Sequence, residues 1–73
     1  MKQYLIIIEE TNTGYSAYSP EVLGCIATGK TIEETEKNMK EAIEFHFEGM
    51  VLEGLNVPVP TVVKTSFYEM EMA

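Results

Sequence analysis

Three glutamates stand close together in the chain, and clustered carboxylates are the side chains that bind hard divalent cations. They are Glu33, Glu34 and Glu36. Metal sites of this kind usually draw carboxylates from several structural elements, whereas these three share one short segment. Thr31 precedes Glu34 by three residues, which is the spacing of a helix capping box. The pattern therefore predicts the acidic first turn of a helix, and we expect no metal and no cofactor.

The single cysteine, Cys25, and the single histidine, His46, are the residue types of a nucleophile and its base. His46 lies seven residues after Met39 and four before Met50, and these positions share one face of a helix. That spacing favours a packing role for His46 at the edge of the core. The segment 24–29 begins and ends in glycine but lacks the lysine and the length of a phosphate-binding P-loop. We therefore expect no enzymatic activity and no catalytic residue.

The elements that must position these side chains are predicted as three strands, a helix and a last strand. Residues 3–10 are nearly continuous in apolar side chains, and a polar turn joins them to residues 15–18, which predicts a β-hairpin. Residues 25–28 predict a third strand that Gly29 ends, and a helix of about 22 residues follows from Thr31 to Gly54. Residues 61–68 predict the final strand. The expected fold is α+β, in the order β-β-β-α-β, with one helix on a small mixed or antiparallel sheet and a single domain over residues 1–73.

The predicted helix has an apolar stripe and an acidic outer face. At 100° per residue, the positions that tolerate burial fall within about 60° of Met39; they are Ile32, Thr35, Met39, Ala42, Ile43, His46 and Met50. Phe45 and Leu52 lie outside this stripe, seven residues apart. They would stack on the outer face, unless the helix bends or ends near Gly49 and redirects Leu52. We predict a partner interface there, and it consists of Glu41, Glu44, Phe45, Glu48 and Leu52; the other interpretation is an ordinary solvated face.

Composition narrows the class of partner. Twelve glutamates against five lysines give a net charge of −7, and the chain has no Asp, Arg or Trp. Residues 31–53 hold seven of the glutamates and two of the lysines. Such a surface is repelled by nucleic acid and anionic lipid and is attracted to basic proteins. The apolar run at residues 4–8 is too short for a signal peptide or a membrane span, and the lone cysteine forms no internal disulfide, so we expect a cytoplasmic chain.

Three short motifs in a fixed order carry a resemblance to a known family. They are Pro-x-x-x-Gly-Cys at residues 20–25, Gly-x-Thr-x-Glu-Glu at 29–34 and Pro-x-Pro at 58–60. Together with Gly14, Asn38 and Gly54, they make nearly the whole chain resemble the HicB antitoxin family. Lys30 and Thr35 depart from that pattern, which more often has an acid and an alanine there.

The resemblance implies a fold like a truncated RNase H core and a binding role. The expected partner is a small basic RNase toxin of the HicA type, whose catalytic and RNA-binding face the antitoxin would cover. An RNase H active site needs several acids around two metals, and this chain has no Asp. Many HicB proteins add a DNA-binding domain, but only thirteen residues follow Pro60, so we do not expect DNA binding.

Two hypotheses for function therefore stand side by side. The first is a non-catalytic antitoxin that neutralises a HicA-type toxin by protein–protein binding. The alternative is a self-assembling HicB-like structural or interaction module with no toxin partner. In either case the open edges of a small sheet invite pairing with another copy, so we expect a homo-oligomer.

Overall fold

The computed structural model describes residues 2–71 and contains three strands followed by one helix. The strands are β1 (Ile7–Glu10), β2 (Tyr15–Tyr18) and β3 (Ile26–Gly29), and the helix is α1 (Ile32–Leu52). The strands form one sheet in the order β1-β2-β3, and both pairs are antiparallel. The helix lies across one face of this sheet, mostly over β3 and β2. The predicted α+β class, the order of these four elements and an antiparallel sheet are therefore confirmed.

The hairpin of β1 and β2 places small residues under the helix. The Thr11 N–H donates to the Gly14 carbonyl at 2.8 Å and closes the turn. Ala17 pairs with Ile8 on one side and with Ala27 on the other. Because alanine adds only a methyl group to the sheet surface, the helix packs closely on it, and Ala17 is fully buried.

Both ends of α1 have side-chain or backbone caps. The Thr31 hydroxyl accepts from the Glu34 N–H at 3.0 Å, as a capping box requires. The Glu34 carboxylate returns to the Lys30 N–H at 2.6 Å, one residue earlier than the motif usually has it. At the other end, Gly54 has φ +74 and the Leu55 N–H donates to the Met50 carbonyl at 2.8 Å. This is a Schellman motif, so the predicted stop at Gly54 is confirmed.

The core lies between the helix stripe and the sheet. Its buried members come from both layers and from the connector between β2 and β3; they are Ala17, Val22, Cys25, Met39 and Ile43. Thr35 is also fully buried, as the stripe predicts. Ile32 is not, since it is 50% exposed at the first position of the helix, one turn before the point where Thr35 meets the sheet. Phe47, which the stripe omitted, packs edge-on against Tyr4 with ring centroids 5.0 Å apart.

The predicted final strand is the main correction to the expected fold. In the described part of the chain, residues 61–68 have no strand assignment, and the chain there is exposed. A strand needs a neighbour to satisfy its N–H and C=O groups, and no strand lies beside this segment within residues 2–71. The first strand is also shorter than predicted, since it begins at Ile7 rather than residue 3. Pairing starts at Ile7 with Tyr18, and Pro20 soon afterwards prevents β2 from extending the ladder.

Candidate protein-binding surface

The outer face of α1 presents one large apolar ring among acids. Glu41, Glu44, Phe45 and Glu48 line an open depression of about 180 Å³. All four are exposed, and Phe45 is 79% exposed. Two large apolar side chains exposed on one face, here Phe45 and Leu52, make that face a candidate contact surface.

The helix is long enough to hold Leu52 on the same side as Phe45. It runs through Gly49 without a break and ends at Leu52, so an end near Gly49 is ruled out. Seven residues are nearly two full turns, which places the two side chains about 10 Å apart along the axis. Leu52 is 83% exposed. The exposure of Phe45 and Leu52 is thus observed, while their role as an interface stays a prediction.

The charge on this face is only partly neutralised by lysine. The Lys37 ammonium lies 3.9 Å from the Glu41 carboxylate, and the Lys40 ammonium lies 3.6 Å from that of Glu36. Both pairs are solvent-exposed and contribute little to stability. Glu44 and Glu48 add two further carboxylates beside Phe45. The surface therefore combines an apolar anchor with a negative field, an arrangement that suits a basic protein partner.

Two of the three clustered glutamates have structural roles, and the third, Glu33, is exposed. Glu34 caps the helix and Glu36 pairs with Lys40. Among residues 2–71, no three His, Cys, Asp or Glu side chains converge as a metal site would need. Cys25 is buried, and burial raises the pKa of its thiol, which is opposite to the shift that activates a nucleophile. In the same described range, no hydrogen bond joins Cys25 to His46.

A carboxylate that the motif search did not single out holds two distant segments together. One oxygen of Glu21 accepts from the Leu5 N–H at 2.9 Å, and the other accepts from the N–H groups of Thr61 and Val62 at 2.5 and 2.7 Å. These backbone donors lower the pKa of Glu21. The Tyr4 hydroxyl adds a bond to the Pro58 carbonyl at 2.5 Å. No local sequence signal marks such a role, because the donors are backbone groups 16 and 40 or more residues away.

The helix of the described region does not have the length and apolar character that crossing a membrane requires.

Comparison with known proteins identifies the relatives of this chain. The family model of the HicB-like antitoxin of bacterial toxin–antitoxin systems matches residues 4–73. An uncharacterized 14.9 kDa protein of Haemophilus phage HP1 is 46% identical over 55 residues, which are 75% of this chain and 41% of that protein. A UPF0150 protein of Synechocystis is 39% identical over 56 residues, which are 75% of this chain and 71% of that protein. The chain thus spans about two fifths of the phage protein and most of the cyanobacterial one.

A solved structure resembles this fold as well. It is the HicA3 and HicB3 toxin–antitoxin complex, which superposes with a TM-score of 0.70 at 35% identity and covers 81% of this chain and 70% of the matched chain. The three strands and the helix described above are therefore an arrangement known in a solved antitoxin complex. With a family model that extends over residues 4–73, the chain belongs to the HicB-like antitoxin family of bacterial toxin–antitoxin systems.

Proposed function

We propose that this chain is a non-catalytic antitoxin that neutralises a small basic RNase toxin of the HicA type by protein–protein binding. Family membership supports the antitoxin role. The observation that carries the proposal is the exposed Phe45 ring set among Glu41, Glu44 and Glu48 on the outer face of α1. A few large anchor side chains near the centre of an interface carry most of its binding energy.

The charge of the chain supports a basic partner. A net charge of −7 raises the association rate with a positively charged protein and keeps competing nucleic acid away. The acids of the outer face would mimic RNA phosphates toward a toxin that binds RNA. In this account the antitoxin competes for the RNA-binding face of the toxin and performs no chemistry itself.

The non-catalytic part of the proposal is supported by the placement of the chemically capable residues. Glu34 caps the helix and Glu36 pairs with Lys40, and Cys25 is buried with a raised thiol pKa. The likeness to a truncated RNase H core and the cytoplasmic location stay predictions. No site residue of an RNase H enzyme is carried over to this chain.

A second candidate function is a self-assembling HicB-like module without a toxin. One observation favours it: several apolar residues after Pro60 are exposed, among them Val63 at 97% and Phe67 at 99%. Self-assembly by itself is compatible with toxin binding, because an antitoxin of this shape can oligomerise and still bind a toxin. A homo-oligomer is proposed in both.

Co-purification tests the proposed function. A tagged chain is expressed together with the protein encoded by the neighbouring gene, and the complex is assayed for RNase activity. We expect a stable complex whose RNase activity is suppressed and returns when the antitoxin is removed. If the neighbouring protein is a HicA-type RNase that neither binds the chain nor loses activity in its presence, the proposal is wrong and the self-assembling module is favoured.

A further inference from the structure

One depression on the outer face of α1 has an exposed aromatic ring in its wall. Glu41, Glu44, Phe45 and Glu48 line it, and its volume is about 180 Å³. Sites for small-molecule ligands usually have about 300–1,000 Å³ and enclose most of the ligand. This depression is smaller and open, so its size suits a single side chain that a partner protein presents.

Helical geometry places the three carboxylates on one side of the ring. At about 3.6 residues per turn, Glu41 and Glu48 lie about 40° and 60° around the helix axis from Phe45, and Glu44 lies about 100° away in the same direction. Along the axis, Glu41 is about 6 Å before the ring and Glu48 about 4.5 Å after it. Gly49, on the opposite side of the ring, has no side chain, and a Cβ there would meet nothing within 4 Å. The ring is therefore open to an incoming group, with acids before and after it.

The chain places almost no positive charge of its own beside this ring. No lysine or arginine stands between Lys40 and Lys64, whereas four glutamates lie in residues 41–53. The Lys37 ammonium lies 3.9 Å from the Glu41 carboxylate, but both side chains are exposed, and such pairs contribute little. Within residues 2–71, Glu48 is in no ion pair. The carboxylates around the ring are therefore available to a cation of the partner.

Arginine meets both features of the depression better than lysine does. Its guanidinium is planar, is more weakly hydrated than an ammonium, and stacks on the face of an aromatic ring. It also carries five N–H donors in a fixed fork, so it donates to a carboxylate while it stays stacked. A lysine ammonium is a strongly hydrated point charge and gains less from the ring. An exposed ring with acids on one side of it therefore favours arginine.

We infer that this depression binds an arginine side chain of the partner protein. The guanidinium stacks on the Phe45 ring and donates to the Glu48 carboxylate, and Glu41 accepts a second hydrogen bond when it releases Lys37. Glu44 lies farther around the helix and contributes only its charge. This arginine site rests on the proposed function, because it specifies the residue type by which a basic partner is recognised at the same face.

Two peptides of equal side-chain charge test the preference for arginine. The probes are tetra-arginine and tetra-lysine, each titrated into the full chain while the backbone amide resonances of residues 41–52 are followed by NMR. Tetra-arginine is expected to bind about two- to fivefold more tightly than tetra-lysine, which corresponds to a cation–π contact at an exposed site. Equal affinity for the two peptides would overturn the inference.

The variant F45L separates the aromatic ring from apolar bulk. It keeps an apolar side chain at the same exposed position but has no π face, so it is expected to bind the two peptides equally. The matched control is F67L, because Phe67 is 99% exposed and lies outside α1. F67L is expected to keep the preference of the natural chain. A preference for tetra-arginine that survives F45L would show that the ring is not the binding surface and would overturn the inference.

Two glutamine variants of equal charge test which carboxylate accepts the guanidinium. E48Q is expected to weaken the binding of tetra-arginine about two- to fivefold, since it removes an ion pair at an exposed site. E44Q removes the same charge from the same helix and is expected to weaken binding less than twofold, because Glu44 lies farther around the axis. An equal loss in both variants would mean that the acidic field alone attracts the peptide, and the arginine site would be wrong.

These titrations contain no toxin, so their outcome is separate from that of toxin binding. If the natural chain prefers tetra-arginine and F45L does not, the arginine site holds even where a HicA-type toxin fails to bind and the proposed function is wrong. If a HicA-type toxin binds but the natural chain shows no preference for tetra-arginine, the proposed function holds and the arginine site is wrong.

Discussion

One oxygen of the Glu21 carboxylate accepts a hydrogen bond from the backbone N–H of Leu5 at 2.9 Å, and this bond links the connector after β2 to the segment that leads into β1. The second oxygen accepts backbone N–H groups from the segment that follows the helix. A single carboxylate therefore joins the segment that leads into β1 to residues 61–62, which follow the helix.

Replacing Glu21 with glutamine is expected to release the segment after the helix. A glutamine amide has one acceptor oxygen and a donor NH2 group, so it cannot serve the three backbone N–H groups that the carboxylate binds. We expect hydrogen–deuterium exchange at the Val62 amide to accelerate by roughly tenfold, while amides within α1 keep their protection. Glu33→Gln, an exposed acid without such contacts, is the matched control. An unchanged rate of hydrogen–deuterium exchange at the Val62 amide in E21Q would contradict the claim that the Glu21 carboxylate holds this segment in place.

The hydrogen bonds that the Glu21 carboxylate accepts are also expected to weaken in acid. Backbone donors hold the pKa of Glu21 below its ordinary value of 4.5 in the folded state. A lowered folded-state pKa means that the stabilisation is complete above pH 4.5 and is lost as the pH falls through the folded-state value. The difference in free energy of unfolding between the natural chain and E21Q should be constant between about pH 6 and 7 and shrink below about pH 4.5. If this difference in free energy of unfolding grows as the pH falls, the prediction is wrong.

The contact between Gly29 and Thr35 is expected to tolerate no added side chain. A Cβ at Gly29 would lie 2.5 Å from Thr35 Oγ1 and 2.8 Å from the Thr35 backbone nitrogen. Because Thr35 is fully buried in the first turns of α1, the helix would have to move, and we expect Gly29→Ala to cost about 1–3 kcal/mol in urea unfolding.

Gly49 is the matched control for this substitution. A Cβ there would meet nothing within 4 Å, and the residue is helical. Gly49→Ala is therefore expected to stabilise the chain by about 0.5–1 kcal/mol, since alanine restricts the unfolded backbone more than glycine does. If Gly29→Ala lowers the free energy of unfolding and Gly49→Ala raises it, the close approach of Gly29 to Thr35 is the cause of the loss, rather than the removal of a glycine in general. A Gly29→Ala variant as stable as the natural chain would contradict it.

Local signals in the sequence predicted most of the fold. The capping box at Thr31 and Glu34 and the left-handed Gly54 placed both ends of α1 within a residue or two of where they lie. These signals work because caps and stops act through contacts a few residues apart. The stripe centred on Met39 predicted the buried face for the same reason.

The errors concern contacts between segments that are far apart along the chain. Residues 61–68 have the composition of a strand. Composition does not show which segment would pair with them, and in the described structure they are not assigned to a strand. The hydrogen bonds of Glu21 were not predicted because their donors are backbone groups, which do not depend on the residue type. The outer face was predicted as a set of residues, and its exposure follows from helical periodicity, but periodicity carries no information about the partner.

Binding to the toxin by the natural chain and two aspartate variants tests the central claim most directly. Calorimetric titration would use the proposed partner, a toxin of the HicA type, with F45D on the outer face of α1 and L23D as the control. Leu23 is 82% exposed but lies on the connector after β2. We predict that F45D weakens binding at least tenfold, about 1.4 kcal/mol or more, while L23D binds like the natural chain. Equal affinity for F45D and the natural chain would contradict the assignment of the outer helix face as the antitoxin surface.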